Sequence, residues 1–318
     1  MISGWFEKLS KAYSLAILLL IAVAICYFVV HDRTTGAGWQ AGLLLAALML
    51  AGGLAFVSVR FYKKSKYMFY AFVILLSAVS CAWWNLFADT QPVSDYSILI
   101  DAGYQIANGN FSEAFSKDSY FYYFNYQIGY AIYLGFVFRL FGASLTVLKI
   151  LDAAYIAFSA LLVFAIASRI AGKHEACIAA GLYAGFIPII MGSSVVNNQH
   201  LSTFLMLAGI YMVIRRKSAY IGLGALFIAA MNIFRPVGVI MLIAVPVYFF
   251  YRAFYERRIM PSIKYTAVFL AVFFAVTWGV DAAVINARIA PAAISSSNLP
   301  YFKLVSGLCD QFGSFTET

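Results

Sequence analysis

Apolar residues in this chain come in long unbroken runs, and polar residues are confined to short clusters between them. The runs cover residues 12–30, 41–59, 67–88, 147–168, 177–196, 201–214, 219–234, 237–251 and 264–285. A helix of about 20 apolar residues crosses a hydrocarbon core of about 30 Å. The pattern therefore predicts an all-α, polytopic transmembrane bundle of about nine spans, with the three between residues 201 and 251 short. The first run follows Lys8 and Lys11, as a signal peptide would. It is too long for the apolar part of one and lacks a small-residue cleavage site, so it counts as a span.

The polar clusters set orientation. With a cytoplasmic amino terminus, 15 of the 22 Lys and Arg fall on the inside and ten of the thirteen Asp and Glu on the outside, as the positive-inside bias requires. This parity holds only if residues 126–141, "YQIGYAIYLGFVFRLF", lie at the interface instead of crossing. Residues 89–145 then form one long outer loop, of a length that is usually functional. Within it, Ser94 is placed to cap a helix that Asn108 and Gly109 end, and its apolar residues recur at helical spacing. The aromatic run "YFYYFNY", 120–126, and the apolar helix after it suit the headgroup level. Three parts are expected: an N-terminal two-span segment, 1–66; a transmembrane core, 67–285; and an outer tail, 286–318.

Composition narrows the class. The chain is 64% hydrophobic and 11% charged, against about 25% charged in soluble domains, which excludes a soluble globule. The net charge of +9 is not a nucleic-acid signal, because the cations sit in turns between apolar runs. Four cysteines, three of them inside apolar runs, make neither a disulfide framework nor a metal-type spacing.

Few residues remain to carry chemistry. Asp95 opens the first interfacial helix, where a carboxylate can take a proton from an acceptor hydroxyl; it would equally favour the helix N-terminus through the dipole. Asp101 lies about 240° further around that helix, so no carboxylate pair is indicated. Arg235, in "NIFRPVGVI", sits between two short apolar runs near the outer face, where it can meet an anionic lipid phosphate or snorkel to headgroups. Asn197, Asn198, Gln199 and His200 form an outer turn that can bind a sugar or simply be solvated. Lys149 and Asp152 are one turn apart on a span and placed to pair.

Three stretches together resemble the GT-C superfamily of membrane glycosyltransferases, which includes protein O-mannosyltransferases and aminoarabinose transferases. They are "PVSDYSILIDAGYQIANGNF", the long segment from "YFYYFNYQIGYAIYLGFVFRLFGASL" to "FAIASRIAG", and "NIFRPVGVIMLIAVPVY". The tail "YFKLVSGLCDQFGSF" is similar to that of Gram-positive members, and suggests a C-terminally truncated one. The resemblance implies a transferase taking sugar from a polyprenyl-phosphate donor, with inversion, on the extracytoplasmic side of the cell membrane. Asp95 matches the family's catalytic base, and Arg235 is placed to hold the lipid phosphate. Asp101, Tyr123, Asn198 and His200 complete the expected substrate-binding set. Expected partners are that donor, membrane lipids and an acceptor glycan, lipid or protein, with no nucleic acid. No cofactor is certain and a divalent metal stays open, with no residue assigned as its ligand. The turn where many relatives place an acid reads "NNQH", and "FNYQ" stands where relatives often show Tyr-Pro. Two other classes compete with the transferase: a transporter or flippase for a lipid-linked sugar, and an inactive membrane subunit.

Overall fold

The computed structural model describes residues 37–88, 90–111, 115, 120–290 and 292–295, and every regular element among them is helical. The order is α1 (Ala37–Lys64), α2 (Lys66–Phe87), α3 (Asp95–Ala107), α4 (Tyr120–Tyr123), a 3-10 turn (Asn125–Gln127), α5 (Ile128–Phe141), α6 (Leu145–Ile170), α7 (Lys173–Ala184), α8 (Ile187–Gly192), α9 (Gln199–Val213), α10 (Ser218–Phe234), α11 (Val239–Glu256) and α12 (Ile259–Asn286). Five of the described helices are long and apolar enough to cross a membrane: α1 from Ala46, α2, α6, α11 and α12. Helices α9 and α10 are apolar but shorter. The expected span at 12–30 and most of the tail lie outside the described residues, so the described chain supports a helical membrane bundle without reaching the count of nine.

The run 177–196 departs from expectation. It is not one helix: α7 stops at Ala184, Gly185 follows, and Pro188 opens the short α8. Proline has no N–H to donate and pushes the residue before it away from helix, so it suits a helix start better than an interior. The chain then turns through Ser193 and Ser194, both buried. Trp84 of α2 holds this turn by donating to the Met191 carbonyl at 3.0 Å and the Ser194 hydroxyl at 3.1 Å.

Side-chain contacts give each helix a direction. Along α6 and α9, Tyr155 stacks on Phe204 while Arg169 lies over Tyr211, so the two helices run parallel. Tyr62 and Phe69 meet Phe164 near the end of α6, which puts the α1–α2 turn at that same end. Phe249 meets Tyr265 and Arg216 bonds Glu256, so the α9–α10 and α11–α12 turns are there too. The other end, called here the site face, carries the described residues between 90 and 145, Asn198 and Arg235.

Helix α5 belongs to the site face. Its 14 residues would reach about 21 Å at 1.5 Å each, nearly as far as the 15-residue α9, so its packing and not its length places it there. Its start crosses the end of α10, where a Cβ on Gly129 would lie 2.1 Å from the Ile233 carbonyl oxygen. Its partner is α3: a Cβ on Gly103 would lie 2.7 Å from the Leu134 Cβ, and one on Gly135 2.5 Å from Ile106. Two glycines thus let the helices touch, and Leu99, Ile106, Leu134 and Phe138 are buried in the seam. Helix α3 has the expected bounds, with Asn108 as C-cap and Gly109 at φ +85°. Ser94 is its N-cap, yet its side chain makes no capping bond.

Candidate active site

On the site face, α3, the 3-10 turn and the two ends of the α9–α10 hairpin converge on a cavity of about 310 Å³. Asp95, Tyr126, Gln127, Asn198, Gln199 and Arg235 line it. The sequence reaches this point by two local stops. Ser94, at φ +52° and ψ −132°, breaks the chain just before α3 and leaves Asp95 exposed at its first position. That backbone conformation costs a non-glycine residue on the order of 1–3 kcal/mol, and such strain gathers at functional sites. Helix α10 ends at Arg235, which is extended (φ −151°) because Pro236 follows. The Asn232 side chain closes the turn by accepting from the Gly238 N–H at 3.0 Å.

Asn198 ties the hairpin together. Its Nδ2 donates to the Phe234 carbonyl at 2.8 Å and to Gln127 Oε1 at 3.4 Å, and its Oδ1 accepts from Arg235 at 3.3 Å. Asn197, buried beside it, accepts the Gln199 N–H at 2.7 Å and so sets the start of α9. Asp95 and Arg235 make no ion pair with each other; among the described residues, those that form involve Glu256. Both charges nevertheless act on the Tyr126 phenol. Burial raises its pKa, the Asp95 carboxylate raises it further and the Arg235 guanidinium lowers it. The Tyr120 phenol is also raised, first by burial and then by Asp95. Its buried hydroxyl faces Asp95 and Gln127.

Of the six site residues expected from sequence, the cavity gathers Asp95, Asn198 and Arg235. Asp101 is exposed on another side of α3, in a separate groove with Tyr104 and Phe138, as its angular offset from Asp95 requires. Tyr123 is exposed and packs edge-on to Tyr122. His200 is buried against Gly192, outside the cavity. Asp152 is buried within α6 and its Oδ2 has no hydrogen-bond partner. Gln199, from the polar outer turn noted in the sequence, also lines the cavity, whereas Tyr126 and Gln127 were not anticipated. Their signal was polarity: "NYQ" is a rare polar interruption between an aromatic run and an apolar helix. Among the described residues no three His, Cys, Asp or Glu side chains are grouped to hold a metal ion.

The described residues thus form a helical membrane protein with a polar cavity at one end, which holds a carboxylate and a guanidinium that do not pair with each other. Residues 128–280, just under half of the chain, match the family model described as dolichyl-phosphate-mannose-protein mannosyltransferase. That family is of the GT-C type, so the match bears out the resemblance, and the class is a membrane glycosyltransferase of GT-C type. The matched stretch runs from the start of α5 into α12; it includes Asn198 and Arg235 and leaves Asp95 outside. No curated protein and no solved structure matched the chain.

Proposed function

We propose that the chain transfers a sugar from a polyprenyl-phosphate donor to an acceptor hydroxyl at the outer face of the membrane, with inversion at the anomeric carbon. The observation that carries this is that Asp95 and Arg235 line one cavity without pairing. Two opposite charges left apart in a confined space are each available to a substrate. Arg235 meets the donor phosphate, with Asn198 holding the guanidinium in place. Asp95 accepts the proton of the acceptor hydroxyl as its oxygen attacks. The new C1–O bond forms while the bond from C1 to the phosphate oxygen breaks. The electron pair stays on the phosphate, whose growing charge Arg235 offsets. A phosphate is a good leaving group, so one carboxylate suffices.

The cavity is at the small end of ligand pockets, which run from about 300 to 1,000 Å³. It accommodates a sugar and a phosphate, and the prenyl tail stays in the bilayer along exposed apolar side chains such as Val239, two residues after the cavity-lining Val237. The neutral amides of Gln127 and Gln199 are the hydrogen-bonding groups for sugar hydroxyls.

The test is to reconstitute the full chain in lipid with a panel of polyprenyl-phosphate sugars and follow the released lipid phosphate. Arg235→Gln is expected to weaken donor binding about tenfold to a hundredfold, the worth of one charged hydrogen bond at about 1.5–3 kcal/mol. An unchanged donor affinity would return Arg235 to a headgroup anchor. Movement of intact donor across the bilayer, with no release of lipid phosphate, would replace the transferase with a flippase.

A further inference from the structure

At the end of the bundle opposite the Asp95 cavity, a second cavity of about 380 Å³ opens between α2, α6 and α9. Its wall is apolar, from Leu161, Phe164 and Ala165, and its rim carries Tyr70, Arg169 and Tyr211. The Arg169 guanidinium is 5.3 Å from the Tyr211 ring. Arg215 approaches the same ring at 5.6 Å and the Tyr220 ring at 4.1 Å. Glu256, the acid that forms ion pairs in this region, is taken by Arg216 and Arg252. Glu175 is spent near its own helix start, its carboxylate folded against Gly172. Arg169 and Arg215 therefore have aromatic faces but no carboxylate among the described residues.

An aromatic face attracts a guanidinium but accepts few of its five N–H donors, which lie in the guanidinium plane. At the edge of a bilayer those donors call for an anion, and a cation in such a place usually has one. Beside Arg169, and about one to two helical turns back along α6, lies the groove lined by Leu161, Phe164 and Ala165. A cation beside an apolar groove is the complement of a phospholipid.

We propose that this groove binds an anionic glycerophospholipid of the adjoining leaflet, its phosphate on Arg169 and one acyl chain along Leu161 and Phe164. Arg215 adds charge from the neighbouring turn. Basic pockets between helices at this depth recognise anionic headgroups in the same way. The site is independent of the transfer chemistry and stands whichever sugar the chain uses.

The test places the full-length protein in phosphatidylcholine bilayers with a trace of photoactivatable phosphatidylglycerol and maps the labelled peptides. Label is expected on the peptides holding Leu161 and Tyr211, displaced by phosphatidylglycerol and not by phosphatidylcholine or inorganic phosphate. Arg169→Gln is expected to reduce it about tenfold, as the loss of one charged contact does. Arg169 is exposed at a helix end, so the fold should survive; a thermal melt of the variant checks this. Arg258→Gln, an exposed cation elsewhere on the same face, is expected to leave the label unchanged. Undiminished label in Arg169→Gln would overturn the proposal, as would an equal fall in Arg258→Gln, which would mean diffuse surface attraction. Displacement by inorganic phosphate would make it a free-anion site. A cross-link from Leu161→Cys to residues 1–36 would show that the chain's own N-terminal segment fills the groove.

Discussion

Asp95 and Arg235 stand in one small cavity, and keeping them apart is work done by their neighbours. Arg235 is held by Asn198, which is itself fixed by the Phe234 carbonyl. Asp95 is held at the first position of α3 behind the strained Ser94. If Asp95 is the general base, Asp95→Asn keeps size and position but cannot accept the proton. Turnover is then expected to fall about 10² to 10⁴-fold, roughly 3–5 kcal/mol at 1.36 per decade, while donor binding persists. Asp101→Asn, six residues on and in a different groove, is expected to keep most of the activity. Equal turnover in Asp95→Asn and the parent would leave Asp95 as a helix-start residue. Steady-state kinetics on both variants decide it. The glycine of choice for a strained position offers a milder probe. Ser94→Gly relieves the left-handed backbone cost, so it is expected to raise thermal stability slightly; a lower melting temperature would mean the Ser94 side chain contributes more than its backbone costs.

At the scale of helices, the site depends on where α5 crosses α10. Gly129 sits against the Ile233 carbonyl, two residues before Arg235. A methyl group there meets rigid backbone, so Gly129→Ala must push α10 away at a cost of about 1–3 kcal/mol. The expected result is a lower melting temperature together with weakened donor binding, because the shift carries Arg235 with it. At Gly135 the added Cβ would lie 2.5 Å from the Ile106 Cγ2 and 2.7 Å from its Cβ, and a β-branched side chain in a helix has little freedom to turn aside. Gly135→Ala is therefore expected to part α3 from α5 and also to lower the melting temperature, but to leave donor binding nearly intact because that seam does not carry Arg235. An equal loss of donor binding in the two variants would mean that the α5–α10 crossing does not position Arg235. These crossings also show why parts of the fold were readable in advance. Helix α3 was legible because its signals are local: a polar start, apolar recurrence, then Asn108 and Gly109. The break in 177–196 was missed because hydropathy measures only apolar length; Gly185 and Pro188 carried the contrary signal. Asn198 and Arg235 were each singled out, but their meeting across 37 positions depends on two short helices forming a hairpin, and no local pattern records that. Asp101, Tyr123 and His200 are polar residues in promising segments, and only packing decides which way each one points.

For the molecule as a whole, the two ends differ in charge in a way that the packing makes concrete. The turns joining α1 to α2, α6 to α7, α9 to α10 and α11 to α12 lie together at the end away from the cavity. They carry Lys63, Lys64 and Lys66, then Arg169 and Lys173, then Arg215, Arg216 and Lys217, then Arg257 and Arg258. At the cavity end the described turns hold Asp95 and Asp101, amides, and only a few cations. Translocating Lys and Arg is disfavoured in short loops, so the cation-rich end is expected in the cytoplasm and the cavity outside. The α3–α5 pair sharpens the test. If α5 lies on the surface, Asn108 at the end of α3 and Ala143 after α5 share a compartment; if α5 crossed, they would not. Single cysteines at Asn108, Ala143 and Lys217, with the native thiols replaced by alanine, can be probed in intact cells with an impermeant thiol reagent. Asn108→Cys and Ala143→Cys are expected to react, and Lys217→Cys only after permeabilisation. Reaction at Lys217 alone would invert the protein and put the donor phosphate inside the cell. Opposite behaviour of Asn108 and Ala143 would turn α5 into a span and separate Asp95 from Arg235 by the thickness of the membrane, which would end the shared site.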